Sequence, residues 1–160
     1  MFRALLVVLA QALAFSAAAE SAKFIDGVWY GKGVFQIGHQ VSLCSDIVMT
    51  FSGDEKNFAV REASMKCDGM DAQNFTAVDT FSLGANGELT FQKGAATQLA
   101  AGAKVGRVKD NRLTMLNPID GAKVDDIDMR LSGDTLIYSQ IAGAVGAQPD
   151  YALLAFLKKK

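Results

Sequence analysis

Phe24-Ile25-Asp26-Gly27-Val28-Trp29-Tyr30 sets a Gly-x-Trp at the mouth of the first run of alternating apolar and polar residues, and short runs of the same kind continue to the end of the chain. Alternation of this kind sends successive side chains to opposite faces of a β-strand. Turn signals separate the runs at the interval of an all-β domain: Gly53-Asp54, Ala85-Asn86-Gly87, Asp110-Asn111 and Gly133-Asp134. The spacing predicts strands at about 28–37, 46–52, 57–66, 74–83, 88–93, 103–109, 112–117, 126–132, 135–142 and 151–157. About eight to ten antiparallel strands in one domain predict a single up-and-down antiparallel β-barrel, because closure removes the exposed edges of an open sheet.

Upstream of that stretch, Met1 to Arg3 form a basic start, Ala4 to Phe15 an apolar run, and Ala17-Ala18-Ala19 an A-x-A cleavage site. These are the three parts of a Sec-type signal peptide, and the apolar run is too short for a membrane-spanning helix. Residues 1–19 are therefore expected to be removed, leaving 20–160 as one barrel domain exported to a bacterial periplasm or secreted. A formal charge of −1, with aromatics not interleaved with Lys or Arg, lacks the footprint of a nucleic-acid binder. Lys158-Lys159-Lys160 reads as a solvated basic tip.

Export also bears on Cys44 and Cys67, since disulfides persist outside the cytoplasm. Residues 47–51 and 58–61 read as the arms of a hairpin around Gly53-Asp54-Glu55-Lys56, and that register places Cys44 opposite Cys67. The pair is expected to form a disulfide. Ile47, Met49 and Phe51 share a face with Phe58 and Val60, which puts both cysteines on the opposite, outer face. The same alternation directs Trp29, Phe35, Phe75, Phe81, Leu89, Phe91, Leu113, Met115, Ile127, Met129, Leu131, Leu136, Tyr138, Leu153 and Leu157 inward. Met and Phe at these positions fit either a filled core or an adaptable apolar pocket.

Gly27-Val28-Trp29-Tyr30, after a short non-strand lead-in, resembles the first signature of lipocalins and the wider calycin barrels. The resemblance implies a Trp closing the barrel floor, often under an Arg from a late strand, and an open end that binds a small apolar molecule. Arg130 is the late-strand candidate, but Asp126 and Asp128 beside it suggest an outward face. Small exported barrels that inhibit proteases or lysozymes share the same plan.

Catalytic groups are scarce. His39, the sole histidine, falls in the loop-like Ile37-Gly38-His39-Gln40, without nearby carboxylates to complete a metal site. Asp126 and Asp128 lie opposite Ile127 and Met129 on a wet face. Glu62, Asp79 and Gln140 share the parity of inward apolar neighbours, and a bulge would turn them outward. Gly94 to Gly102 lacks strand alternation and reads either as a surface connection or as a lid over a barrel mouth. Several runs are shorter than the roughly 9–11 residues of a membrane-spanning strand, and outward positions hold charges, so stable membrane insertion is not expected.

The sequence thus predicts an exported, soluble, non-enzymatic barrel with no cofactor and no metal, binding a small apolar or amphipathic molecule non-covalently in its calyx. Trp29, Tyr30, Phe35, Met49, Phe51, Phe91, Met115 and Tyr138 are the expected lining, with Trp29 nearer the floor. The alternative is an inhibitor or protein-interaction module with a protein partner, working through rim loops such as Gln36 to Ser45 or Gly94 to Gly102 around a filled interior.

Overall fold

The computed structural model describes residues 20–76, 79–94 and 99–160. Residues 1–19, read as the leader, and 95–98 within the Gly94–Gly102 stretch lie outside them. The strands are β1 (Gly27–Ile37), β2 (Gln40–Gly53), β3 (Asn57–Cys67), β4 (Gln73–Phe75), β5 (Asp79–Leu83), β6 (Glu88–Lys93), β7 (Lys104–Lys109), β8 (Arg112–Asp120), β9 (Lys123–Ser132), β10 (Thr135–Ala144) and β11 (Tyr151–Lys159). Pairing follows chain order and is antiparallel. β4 and β5 lie end to end along β3 as one stave, and β11 pairs with β1 to close a ten-stave barrel.

Turn chemistry sets the hairpins. Asp110 and Asn111, at φ 50° and 58°, both take the left-handed conformation between β7 and β8, with Lys109 paired to Arg112. A two-residue turn of that hand matches the twist of the strands it joins. Asp54 Oδ1 accepts from the Lys56 and Asn57 amides at 2.6 and 2.7 Å, and these bonds hold its carboxyl below the usual range.

One end of the barrel is stoppered. A 3-10 turn, Ala22–Ile25, capped by Ser21, drives Ala22 and Ile25 into the interior, where both are fully buried. Trp29, 2% exposed, packs over this turn and donates its indole N–H to the Ile25 carbonyl at 2.8 Å. The cation over its ring is Lys159, at 5.9 Å, rather than Arg130, which is exposed on the outer wall. The terminal lysines are exposed, as expected of a solvated tip, and also make contacts: Lys158 pairs with Asp134 at 2.7 Å and Lys160 lies over Tyr30. Above the stopper, Phe51, Phe58, Phe81 and Phe91 pack ring to ring at centroid spacings of 5.6 to 6.0 Å.

Cys44 and Cys67 form the expected disulfide, but on the inner face rather than the outer one, with 2% and 6% exposure. Two bulges are responsible. On β3, Arg61 is an extra residue between the Thr50–Glu62 and Phe51–Val60 pairs; on β2, Ser45 is extra between the Asp46–Lys66 and Cys44–Cys67 pairs. Each bulge reverses the faces beyond it on its own strand. Because the two lie on opposite strands, their effects on register cancel and Cys44 still meets Cys67. The Arg61 bulge also turns Glu62 outward, where it faces solvent and lies near Thr50.

Where β1 faces the Ser45 bulge it carries Gly31 and Gly33. A Cβ on Gly31 would fall on the Phe156 carbonyl oxygen of β11, and one on Gly33 on the Leu154 carbonyl oxygen. Only glycine lets the two backbones approach this closely.

Candidate functional site

The end of the barrel opposite Trp29 is open. A cavity of about 690 Å³ runs inward from it, bordered at the mouth by the exposed side chains of Ile37, Phe75 and Ile119. Its deeper wall is apolar: Phe35, Ile47, Phe81, Ile127 and Leu153 come from five different strands. All five methionines after Met1, at 49, 65, 70, 115 and 129, also line it. Thioether side chains are unbranched and polarisable, so such a wall reshapes around different apolar bodies at little cost.

Of the eight residues expected to line a calyx, Phe35, Met49, Met115 and Tyr138 border the cavity. Trp29, Phe51 and Phe91 point inward but lie below it, in the packed floor. Tyr30 alternates with Trp29 and stands on the outer surface, 39% exposed. Periodicity identifies the face of a strand but not the depth along it, which is why residues of one inward set divide between floor and cavity.

Polar groups gather on the inner wall near the mouth. The Tyr138 hydroxyl donates to Gln140 Oε1 at 2.9 Å, and Gln140 Nε2 donates to both Asp125 carboxylate oxygens at 3.0 Å and to the Tyr151 hydroxyl at 3.2 Å. Asn117 is the cross-strand partner of Asp125; its side chain is 8% exposed and its Oδ1 has no hydrogen-bond partner. Asp79 lines the cavity from β5, so of the three inward polar candidates, Asp79 and Gln140 face the interior and Glu62 does not.

Burial pushes the Tyr138 hydroxyl upward and the Tyr151 hydroxyl up to about 12, with the Asp125 charge adding to both. Both remain protonated donors at neutral pH. Burial likewise pushes the Asp125 carboxyl up, the Gln140 hydrogen bonds oppose the shift, and the Asp126 charge adds to it. A carboxyl raised on folding binds protons more tightly in the native state, so its charged form works against the fold at neutral pH. That penalty fades as pH falls through the raised value and is absent below the unfolded value of about 3.9. Asp125→Asn is therefore expected to raise the Tm at pH 7, with the gain shrinking toward zero as pH falls below the ordinary carboxylate range. Thermal unfolding across pH 3 to 7 checks this; a lower Tm at pH 7 would mean that the Gln140 bonds outweigh burial.

Asp125 and Asn117 were not singled out as inward polar residues, although both carry the signal. Asp125 has the parity of Ile127 and Met129, and Asn117 that of Leu113 and Met115. His39 lies in the β1–β2 loop at the mouth, where its Nδ1 is 3.1 Å from Gln148 Nε2, and it does not border the cavity. Among the described residues no cluster of three or more His, Cys, Asp or Glu could hold a metal ion. No protein-family model matches the chain, and no curated protein matches it either.

Proposed function

We propose that this protein is an exported barrel that binds a small apolar or amphipathic molecule in its cavity without chemical transformation. The carrying observation is the cavity itself: about 690 Å³, open at one end and closed at the other. That size falls within the roughly 300–1,000 Å³ of small-molecule sites. Its composition fits the role, an apolar wall with a few convergent polar groups near the entrance. The closed meander with Trp29 on its floor is also what the resemblance to lipocalins implies. The buried disulfide supports an oxidising compartment. Among the described residues no helix is long and apolar enough to cross a membrane, and Asp126, Asp128 and Arg130 on the outer wall weigh against a lipid-facing surface there.

The second reading, an interaction module with a protein partner, draws on an apolar row across the outer wall. Leu43, Val34 and Leu154 are neighbours on β2, β1 and β11, with Phe156 beyond, all exposed. Three of the exposed apolar residues, Ile37, Val41 and Leu43, belong to the Gln36–Ser45 rim segment. An open interior is what this reading does not require.

Ala63 separates the readings. It borders the cavity between Met49 and Phe75 on neighbouring strands, where a large ring would project into open space. The wild type is expected to bind the neutral fluorescent probe N-phenyl-1-naphthylamine saturably at one site, and Ala63→Trp to weaken that binding at least about tenfold. Circular dichroism would check that the variant keeps its fold. Equal binding by a folded variant would place the probe elsewhere and leave the interaction reading standing.

A further inference from the structure

The charged side chains that border the cavity are of one sign. Asp79 and Asp125 line it, and no Lys, Arg or His does so among the described residues. An anionic head, such as a fatty-acid carboxylate, would meet two carboxylates and no cation inside a partly dehydrated site, where like charges repel strongly. A neutral or cationic donor meets the reverse: the Asp125 carboxylate, which accepts from Gln140, and the Asn117 Oδ1 acceptor, whose residue is more than nine-tenths buried and which has no partner.

A buried acceptor left unpaired is costly, and a ligand N–H that reaches it relieves that cost. Asn117 and Asp125 are directly paired across β8 and β9 and both border the cavity, so a head with several N–H donors lying there faces both side chains. A protonated primary amine has three donors and the complementary charge. The Gln140 bridge to Tyr138 and Tyr151 fixes the carboxylate that would receive it.

We propose that the ligand of this cavity is a cationic amphiphile: a protonated amine held at the mouth by Asp125 and Asn117, with an apolar chain or ring system lying among the methionines. This rests on the ligand-binding reading above. It requires no covalent step.

The test is displacement of N-phenyl-1-naphthylamine at neutral pH by decylamine, 1-decanol and decanoate, each below its aggregation concentration. Decylamine is expected to bind at least about tenfold more tightly than 1-decanol, the scale of a charge-assisted hydrogen bond, and decanoate most weakly. Asp125→Asn and Asn117→Ala are each expected to reduce the decylamine affinity severalfold and the 1-decanol affinity by less, so that the preference for the amine narrows. Decanoate binding as tightly as decylamine would overturn the head-group assignment, as would an amine preference that survives both substitutions. If neither the probe nor 1-decanol binds, the ligand-binding reading itself fails, which separates that failure from an error about the head group.

Discussion

Replacing Trp29 with alanine is expected to destabilise the protein by about 3–5 kcal/mol, the range for removing a large buried aromatic from a packed core. Trp29 is 2% exposed and lies directly over the 3-10 turn that stoppers the barrel. Its loss would open a void at the floor, orphan the Ile25 carbonyl that accepts its indole N–H, and remove the ring beneath the Lys159 ammonium. For a domain of this size the cost corresponds to a Tm lower by about 10 °C or more. Trp29→Phe would keep most of the volume but still leave the Ile25 carbonyl unpaired, so an intermediate loss is expected. Chemical denaturation measures both, and a loss under about 1 kcal/mol for Trp29→Ala would show that the floor does not depend on this side chain.

Removal of the Cys44–Cys67 bridge comes next in size. The cysteines are 23 residues apart in sequence, and closing a loop of that length restricts the unfolded chain by about 3–4 kcal/mol on the chain-entropy model. Because both sulfurs are buried against the inner face, the double variant Cys44→Ala with Cys67→Ala also gives up some packing. Serine replacements would be worse, since each would bury a hydroxyl. The bridge joins the mouth ends of β2 and β3, and Ile47, Ala63 and Met65 of those strands line the cavity. Weaker probe binding should therefore accompany the loss of stability. Unfolding of the double variant and of the oxidised wild type, compared under identical buffer, gives the difference. Equal midpoints would contradict a stabilising role.

The barrel was legible because closure depends on features that repeat along the chain. Trp29 after Gly27 marks the floor, paired turn residues such as Asp110-Asn111 mark the hairpins, and alternation carries through β8 to β11 without a break from Arg112 to Pro118 or from Lys123 to Ser132. The faces of β2 and β3 were not legible beyond Ser45 and Arg61, because a bulge adds a residue without changing composition and silently reverses parity. Cys44 illustrates both sides: its partner was found because two bulges on facing strands cancel, while its orientation was reversed because one bulge alone decides it.

The candidate site was partly legible for a related reason. Phe35, Met49, Met115 and Tyr138 lie in upper turns of the ladder, whereas Phe51 and Phe91, of equal hydrophobicity, lie lower and pack against other rings. Height in a barrel is set by register against neighbouring strands, which a one-dimensional pattern does not carry. Asp125 was readable from parity alone but sits in a run with Asp126, whose outward direction suits a solvated face. Asn117 lies beside Pro118, where the expected strand ended and the real one continues to Asp120.

The most direct test of the open, ligand-binding interior is native mass spectrometry of the protein purified from its own host, followed by organic extraction and identification of whatever is released. One small amphipathic molecule per chain, rebinding to the stripped protein and displaced by N-phenyl-1-naphthylamine, is the result expected. A chain that arrives empty and takes up neither the probe nor a decyl amphiphile would contradict the account.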